Sequence, residues 1–288
     1  MALSTPFGNF AAICRMIKIE HSVFALPFAY AGAFLAGGGW PGWPVMAALT
    51  VAMVAVRSLA MAFNRVVDLP YDSRNPRTAR RPLVTGEISP AQTWAFCVVA
   101  ALVFVAACAA INSLCLQLAL PALLIVCVYS YLKRFTWLCH FWLGGTLGLA
   151  PLAGWISVTG HFALTPFLLF FGVLFWVAGF DIIYSCQDVD FDRAQGLHSV
   201  PARFGLEGAL RIAAFAHANT AIFLLLAGAA AGLSLWWYVV WAGIGLILAW
   251  EHRCVRPDDL SRVNMAFFTL NGVVSVVVLL GVLAGIYF

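Results

Sequence analysis

Charge is scarce in this 288-residue chain: Asp, Glu, Lys and Arg together make up 10% of it, against roughly a quarter in an ordinary soluble domain. That scarcity excludes a soluble globular enzyme. No polar segment is long enough to form a separate soluble core, so a single intramembrane domain over residues 1–288 is expected. The eight cysteines include no CxxC pair and mostly lie inside apolar stretches, which reads as small apolar packing residues rather than disulfides or metal ligands. The six histidines show no HxxxH spacing and read as structural or loop residues. The first 21 residues lack a charged segment running directly into an apolar core and an A-x-A site, so no cleaved signal peptide is indicated. Nucleic acid is not an expected partner.

What the chain has in quantity is apolar sequence, 63% of it, in runs close to the 20 or so residues that cross a bilayer as a helix. The runs fall at about 18–38, 44–66, 91–111, 113–132, 138–158, 164–186, 208–232, 235–252 and 263–287, with boundaries open by about 2 to 4 residues. This predicts an all-α polytopic bundle of nine transmembrane helices. The connections at 37–44, 111–113, 157–162 and Gly232 contain no Lys, Arg, Asp or Glu, whereas 15 of the 16 basic residues fall on the opposite side. By the positive-inside rule that side is cytoplasmic, which puts the N-terminus in the cytoplasm and the chain, as a multi-pass protein, in the cell (inner) membrane. Two cytoplasmic connections are long, about 67–90 and 187–207, and long loops on one face of a helical scaffold are where chemistry is expected.

Both long loops open on acids. Asn64, Asp68 and Asp72 are spaced i, i+4, i+8, one face of a helix over two turns, although Pro70 interrupts the helix there. Asp181, Tyr184, Asp188 and Asp192 step by 3, 4 and 4 and also share a face, with Asp190 on the opposite one. Asp68 to Asp188 and Asp72 to Asp192 are both offsets of 120 residues, so the same DxxxD pair recurs at the same place. Four carboxylates gathered at one cavity repel unless cations sit between them, and Mg²⁺ is held by one or two carboxylates together with substrate phosphates. The spacing therefore suggests two facing Mg²⁺ sites, with the interleaved arginines as phosphate ligands. The competing reading is of solvated loop acids balanced by neighbouring arginines. Arg57 is the exceptional base: it lies seven residues before Asn64 on the same face, about 10 Å deeper, where an arginine needs a partner or a cavity. A substrate carboxylate beneath the metal site is the expected partner.

At these residues the chain resembles the UbiA superfamily of intramembrane aromatic prenyltransferases. NRVVDLPYDSRNPRTARRPLVTG (64–86) is similar to the family's NxxxDxxxD motif and following loop, and DIIYSCQDVDFDRAQGLHSVPARFG (181–205) to its DxxYxxxDxxxD motif. Lys18 with Glu20, Arg57 and YLKRFT (131–136) match as well, whereas Gln187 stands where some relatives have lysine.

The resemblance implies nine helices around a central cavity and Mg²⁺-dependent transfer of a polyprenyl group from polyprenyl diphosphate to an aromatic acceptor. It implies Mg²⁺ held by Asn64, Asp68 and Asp72 on one side and Asp188 and Asp192 on the other. Arg77, Arg81, Lys133 and Lys18 would contact the diphosphate, with Tyr184 and Asp181 lining the cavity. Arg57 and the second motif's surroundings imply an aryl carboxylate acceptor, 4-hydroxybenzoate or 1,4-dihydroxy-6-naphthoate, and so ubiquinone or menaquinone biosynthesis. Chain length of the donor and oligomeric state stay open. Of the other classes, a CDP-alcohol phosphotransferase would carry DG-x2-AR before GxxxDxxxD, which is missing. A cation-coupled membrane transporter would place acids near the midplane, whereas here they cluster at the cytoplasmic rim.

Overall fold

The computed structural model describes residues 6–18 and 25–288, and these are organised almost entirely as helices. In chain order they are α1 (Pro6–Ile17), α2 (Leu26–Gly37), α3 (Trp43–Val67), the one-turn α4 (Leu69–Asp72), α5 (Pro90–Ile111), α6 (Ser113–Leu132), α7 (Cys139–Thr159) and α8 (Leu164–Ser185). A 3-10 turn (Cys186–Asp188) leads to α9 (Val189–Ala194), followed by α10 (Val200–Ala230) and α11 (Leu235–Cys254). The short α12 (Val263–Met265) passes through a π-helical turn (Ala266–Leu270) into α13 (Asn271–Tyr287).

Among the described residues six helical segments are long and apolar enough to cross a membrane: Trp43–Val67, Pro90–Ile111, Ser113–Leu132, Cys139–Thr159, Leu164–Ala194 and Val200–Ala230; Leu26–Gly37 and Asn271–Tyr287 are shorter apolar helices. Their outer faces carry large exposed apolar side chains, among them Val98, Leu102, Leu120, Leu124 and Ile222, a surface that suits lipid and not water.

Two predicted boundaries differ from the structure. The first apolar run, expected as one helix over 18–38, contributes only α2, and a separate helix α1 precedes it, with Glu20 and His21 outside the described residues. Ala12, Met16 and Ile17 of α1 pack on Ala62, Leu83 and Ile88, so α1 buries a face against the first long loop. The loop expected at 187–207 is largely helical: α9 occupies its start, and α10 begins at Val200, where the Ser199 hydroxyl accepts the Ala202 N–H as an N-cap. Gly205, at φ 72°, breaks α10 just after this start and lets the rest of the helix leave in a new direction.

Lipid tails are as apolar as leucine, so close packing rather than water exclusion holds such helices together. The α2–α7 seam shows how. A Cβ on Gly32 would lie 2.1 Å from the Pro151 carbonyl oxygen, and one on Gly154 would lie 1.8 Å from that of Ala29, so the two backbones touch at glycine. Around this seam Phe28, Leu49, Trp176, Leu224, Trp237 and Val278 form the main core. The helices converge on a cavity of about 700 Å³, bounded by α3, α6, α7 and α8, with Phe267 of the π-helical turn on its wall.

Candidate active site

The cavity has an apolar interior and a charged end. Met53, Val56, Leu143, Leu147, Val177 and Phe180 supply the former. The lining includes eight basic side chains, Arg15, Lys18, Arg65, Arg77, Arg80, Arg81 and Lys133 with Arg57 deeper along α3, against four acids, Asp68, Glu87, Asp181 and Asp188. Such an excess of positive charge beside an apolar chamber suits an amphiphile with a polyanionic head.

The first motif is built at the end of α3. Asp68 caps that helix, its N–H reaching the Asn64 carbonyl at 2.9 Å, while the Asn64 side-chain amide donates to Asp68 Oδ2 at 2.8 Å. Pro70 does not scatter the loop, because it falls in the first turn of α4, where a missing N–H costs nothing. Asp72, buried and not itself on the cavity wall, pairs with Arg81, which is, and the Thr78 hydroxyl donates to the Asp72 carbonyl at 2.8 Å. Arg134 bolts this corner down. It donates to the Val67 carbonyl at 2.7 Å, lies 3.6 Å from Asp68 Oδ1, and stacks between the rings of Tyr71 and Tyr131 at 5.1 and 5.2 Å. Burial, and then the charge of Asp72, hold the Asp68 carboxyl above the usual carboxylate range, against the pull of Arg134 and Lys133.

The second motif is split by the 3-10 turn. Asp181 and Tyr184 leave α8 toward the cavity and Asp188 follows at the turn. Arg77, from the first loop, closes on them: it meets Asp188 through Nε at 2.9 Å and Nη2 at 2.5 Å, and donates to the Tyr184 hydroxyl at 3.0 Å. Burial pulls the Arg77 guanidinium down, but this two-point contact more than offsets it and the net shift is upward. Asp192 follows α9 into the interior, fully buried, where it binds Lys133 Nζ at 2.8 Å and accepts the Ser199 hydroxyl at 2.8 Å. Burial likewise lowers Lys133 and Asp192 more than restores it. Asp190 is exposed.

Ten of the twelve residues singled out from the sequence thus line the cavity: Lys18, Arg57, Asn64, Asp68, Arg77, Arg81, Lys133, Asp181, Tyr184 and Asp188. Asp72 and Asp192 do not, but each is bound to a base that does, Arg81 and Lys133 respectively. The single helical face expected for 181–192 is interrupted, since the 3-10 turn resets the register before α9. Among the described residues no three His, Cys, Asp or Glu side chains stand close enough to hold a metal. The donors at the rim are nonetheless hard oxygens, the Asp68 and Asp188 carboxylates and the Asn64 carboxamide, and Mg²⁺ asks for only one or two carboxylates when phosphate completes its shell. The donor set fits that ion.

The UbiA prenyltransferase family model matches residues 25–273. The chain belongs to the UbiA prenyltransferase family. A 4-hydroxybenzoate octaprenyltransferase of Xanthomonas campestris pv. campestris is 31% identical over 94% of this chain and 91% of its own length. One of Aeromonas salmonicida is 28% identical over 83% and 82%. Among solved structures, the apo form of a UbiA homolog from Aeropyrum pernix K1 superposes with a TM-score of 0.84 at 35% identity, covering 92% of this chain and 98% of that one. A UbiA homolog from Archaeoglobus fulgidus, bound to GPP and Mg²⁺, shares the fold with a TM-score of 0.74 at 24% identity, covering 96% and 100%.

Within this UbiA-family cavity several residues escaped the sequence reading. Arg15 reaches it from α1 and pairs with Glu87, and Arg65, although buried, lines it too. Their basic character was visible, but nothing in the spacing distinguished them from the other bases of the rim. Ser130 brings a buried hydroxyl that finds no hydrogen-bond partner. His140 lies among apolar residues of α7 with no ligand spacing, yet binds Asp181 at 2.7 Å.

Proposed function

We propose that this UbiA-family chain transfers a polyprenyl group from polyprenyl diphosphate to an aromatic carboxylate, with Mg²⁺ at Asn64, Asp68 and Asp72 on one side and Asp188 and Asp192 on the other. The observation that carries the reading is the cavity itself: eight bases and four acids in its lining, an apolar chamber beside them, and Asn64 and Asp68 of the first motif facing it together with Asp181, Tyr184 and Asp188 of the second. Bound there, Mg²⁺ would neutralise the diphosphate and stabilise it as a leaving group. Arg77 and Arg81 offer planar forks to the phosphate oxygens, and Lys133 a point charge. Each of these bases is paired with a motif aspartate, Asp188, Asp72 and Asp192 respectively, so an aspartate that held Mg²⁺ would leave its base available to phosphate. Tyr184 and Phe267, with ring centroids 4.1 Å apart, and Phe180 present aromatic faces that stabilise an allylic cation. The C–O bond to the diphosphate breaks, an electron-rich ring carbon of the acceptor bonds to the allylic cation, and loss of the proton from that carbon restores the aromatic ring, while Arg57, deeper along α3, holds the acceptor carboxylate. Curated relatives bear the name 4-hydroxybenzoate octaprenyltransferase, which favours 4-hydroxybenzoate and a place in quinone biosynthesis; 1,4-dihydroxy-6-naphthoate is the other aryl carboxylate to be assayed. The distribution of bases supports nine spans in the cell membrane, with the N-terminus and the charged end of the cavity on the cytoplasmic side.

The test is a transfer assay on the detergent-solubilised full chain with an isoprenyl diphosphate, each acceptor, and Mg²⁺ or a chelator. Mg²⁺-dependent product is expected, and Arg57→Ala should raise the acceptor KM by tenfold or more, the cost of about 1.5 kcal/mol for a lost charged hydrogen bond. No product with either acceptor, from folded protein that binds the diphosphate, would remove the aryl-carboxylate assignment.

A further inference from the structure

His140 is buried at the start of α7, and both of its ring nitrogens are committed. Nδ1 lies 2.7 Å from Asp181 Oδ2, and Nε2 lies 3.2 Å from the backbone nitrogen of Val200. The second contact settles the tautomer. A backbone N–H can only donate, so Nε2 carries the lone pair, and the proton sits on Nδ1, where it is donated to Asp181. The imidazole thus fixes one carboxylate oxygen of Asp181, a residue on the cavity wall, and leaves the other as an acceptor. The anchor on the far side is firm as well. Val200 opens α10, next to Ser199, whose hydroxyl binds the buried Asp192, and the adjoining His198 N–H reaches the Lys133 carbonyl at 2.7 Å.

We propose that His140 is a positioning residue that holds Asp181 to accept a hydrogen bond from the hydroxyl of an aromatic acceptor. The inference rests on the aromatic-acceptor reading above. A carboxylate held on one oxygen at the cavity wall, close in the chain to Tyr184 and to the apolar Val177 and Phe180 of the same helix, is a receptor for an O–H donor, and a hydroxyl on the acceptor is such a donor. It would thus discriminate hydroxylated rings from plain ones, the bare ring leaving a charged acceptor unpaired.

The test compares equilibrium binding of 4-hydroxybenzoate, benzoate and an isoprenyl diphosphate to the full chain in detergent, with the KM of each substrate measured alongside. His140→Phe keeps the volume and removes both hydrogen bonds. His140→Gln keeps one donor and one acceptor, and Asp181→Asn turns an amide donor toward the cavity. His140→Phe and Asp181→Asn are expected to weaken 4-hydroxybenzoate about tenfold while leaving benzoate and diphosphate within about twofold, and His140→Gln to restore most of the preference. Equal losses for all three ligands in His140→Phe and Asp181→Asn would mark the pair as structural only and overturn the inference. So would no loss in either variant. A wild-type protein that binds the diphosphate but does not prefer 4-hydroxybenzoate to benzoate overturns the inference and leaves the donor assignment standing. One that binds no isoprenyl diphosphate overturns the functional reading, and the inference with it.

Discussion

Replacing Lys133 by methionine strands a buried carboxylate. Asp192 has no exposure and two polar partners, Lys133 Nζ at 2.8 Å and the Ser199 hydroxyl at 2.8 Å. Breaking a fully buried ion pair by removing one member costs about 3–5 kcal/mol, because the other charge stays behind uncompensated. Lys133 retains 36% of its side-chain exposure, so water already screens part of the pair and the expected cost is lower, about 2–3 kcal/mol. In a chain of this size that is a fall in Tm of about 5 °C, read by thermal unfolding in one detergent at one scan rate. Adding Asp192→Asn to Lys133→Met removes the stranded charge and should recover most of the loss, giving a coupling of at least about 1 kcal/mol in the double-mutant cycle. The pH dependence has a definite sign. The folded-state pKa of Lys133 is raised, so the pair's contribution is fully present below the ordinary lysine value and is lost as pH rises through the raised one. A Lys133→Met protein as stable as wild type, or a double variant whose losses simply add, would refute the buried-pair reasoning.

Three further outcomes are expected. Gly154→Ala places a methyl 1.8 Å from the Ala29 carbonyl oxygen and should cost about 3 kcal/mol by prising α2 from α7, whereas Gly243→Ala, with nothing within 4 Å, should be neutral or stabilising; thermal unfolding of the two variants side by side checks this. Because the folded-state pKa of Asp68 is raised, chiefly by burial, its ionisation costs stability as pH climbs from the ordinary carboxylate value through the raised one. Asp68→Asn should therefore match wild type in acid and exceed it in Tm near neutrality, and a gap that widens on acidification would contradict this. Asp190, exposed on the far side of α9, should tolerate alanine with transfer nearly unchanged, whereas Asp188→Ala removes both the partner of Arg77 and a cavity carboxylate and should abolish it; kcat/KM for both variants decides.

The recurrence of DxxxD at a fixed offset, each copy at the base-rich end of an apolar run, made the position of the candidate site legible before any coordinates. Membrane spans announce themselves by length and composition because lipid tolerates no unpaired backbone, so α3, α5, α6, α7 and α8 lie within a few residues of their expected bounds. The amphipathic α1 and the ordered second loop were not legible. Their stability comes from burying short faces against distant segments, as Met16 does on Ala62 and Ile88, and α10 needs Ser199 and Gly205 for its cap and bend.

The sequence by itself determined that this is a helical membrane protein with two matched acidic motifs and a concentration of bases on one side, since periodicity, hydropathy and spacing are properties of the chain alone. Only the tertiary structure decided which carboxylates face the cavity. Asp68, Asp181 and Asp188 line it while Asp72 and Asp192 are taken up by Arg81 and Lys133, because a one-turn helix at Pro70 and a 3-10 turn at Asp188 reset registers that an unbroken helix would have kept. The packing also brought His140 to Asp181 across two helices, 41 residues apart in the chain, a contact with no local signature to read.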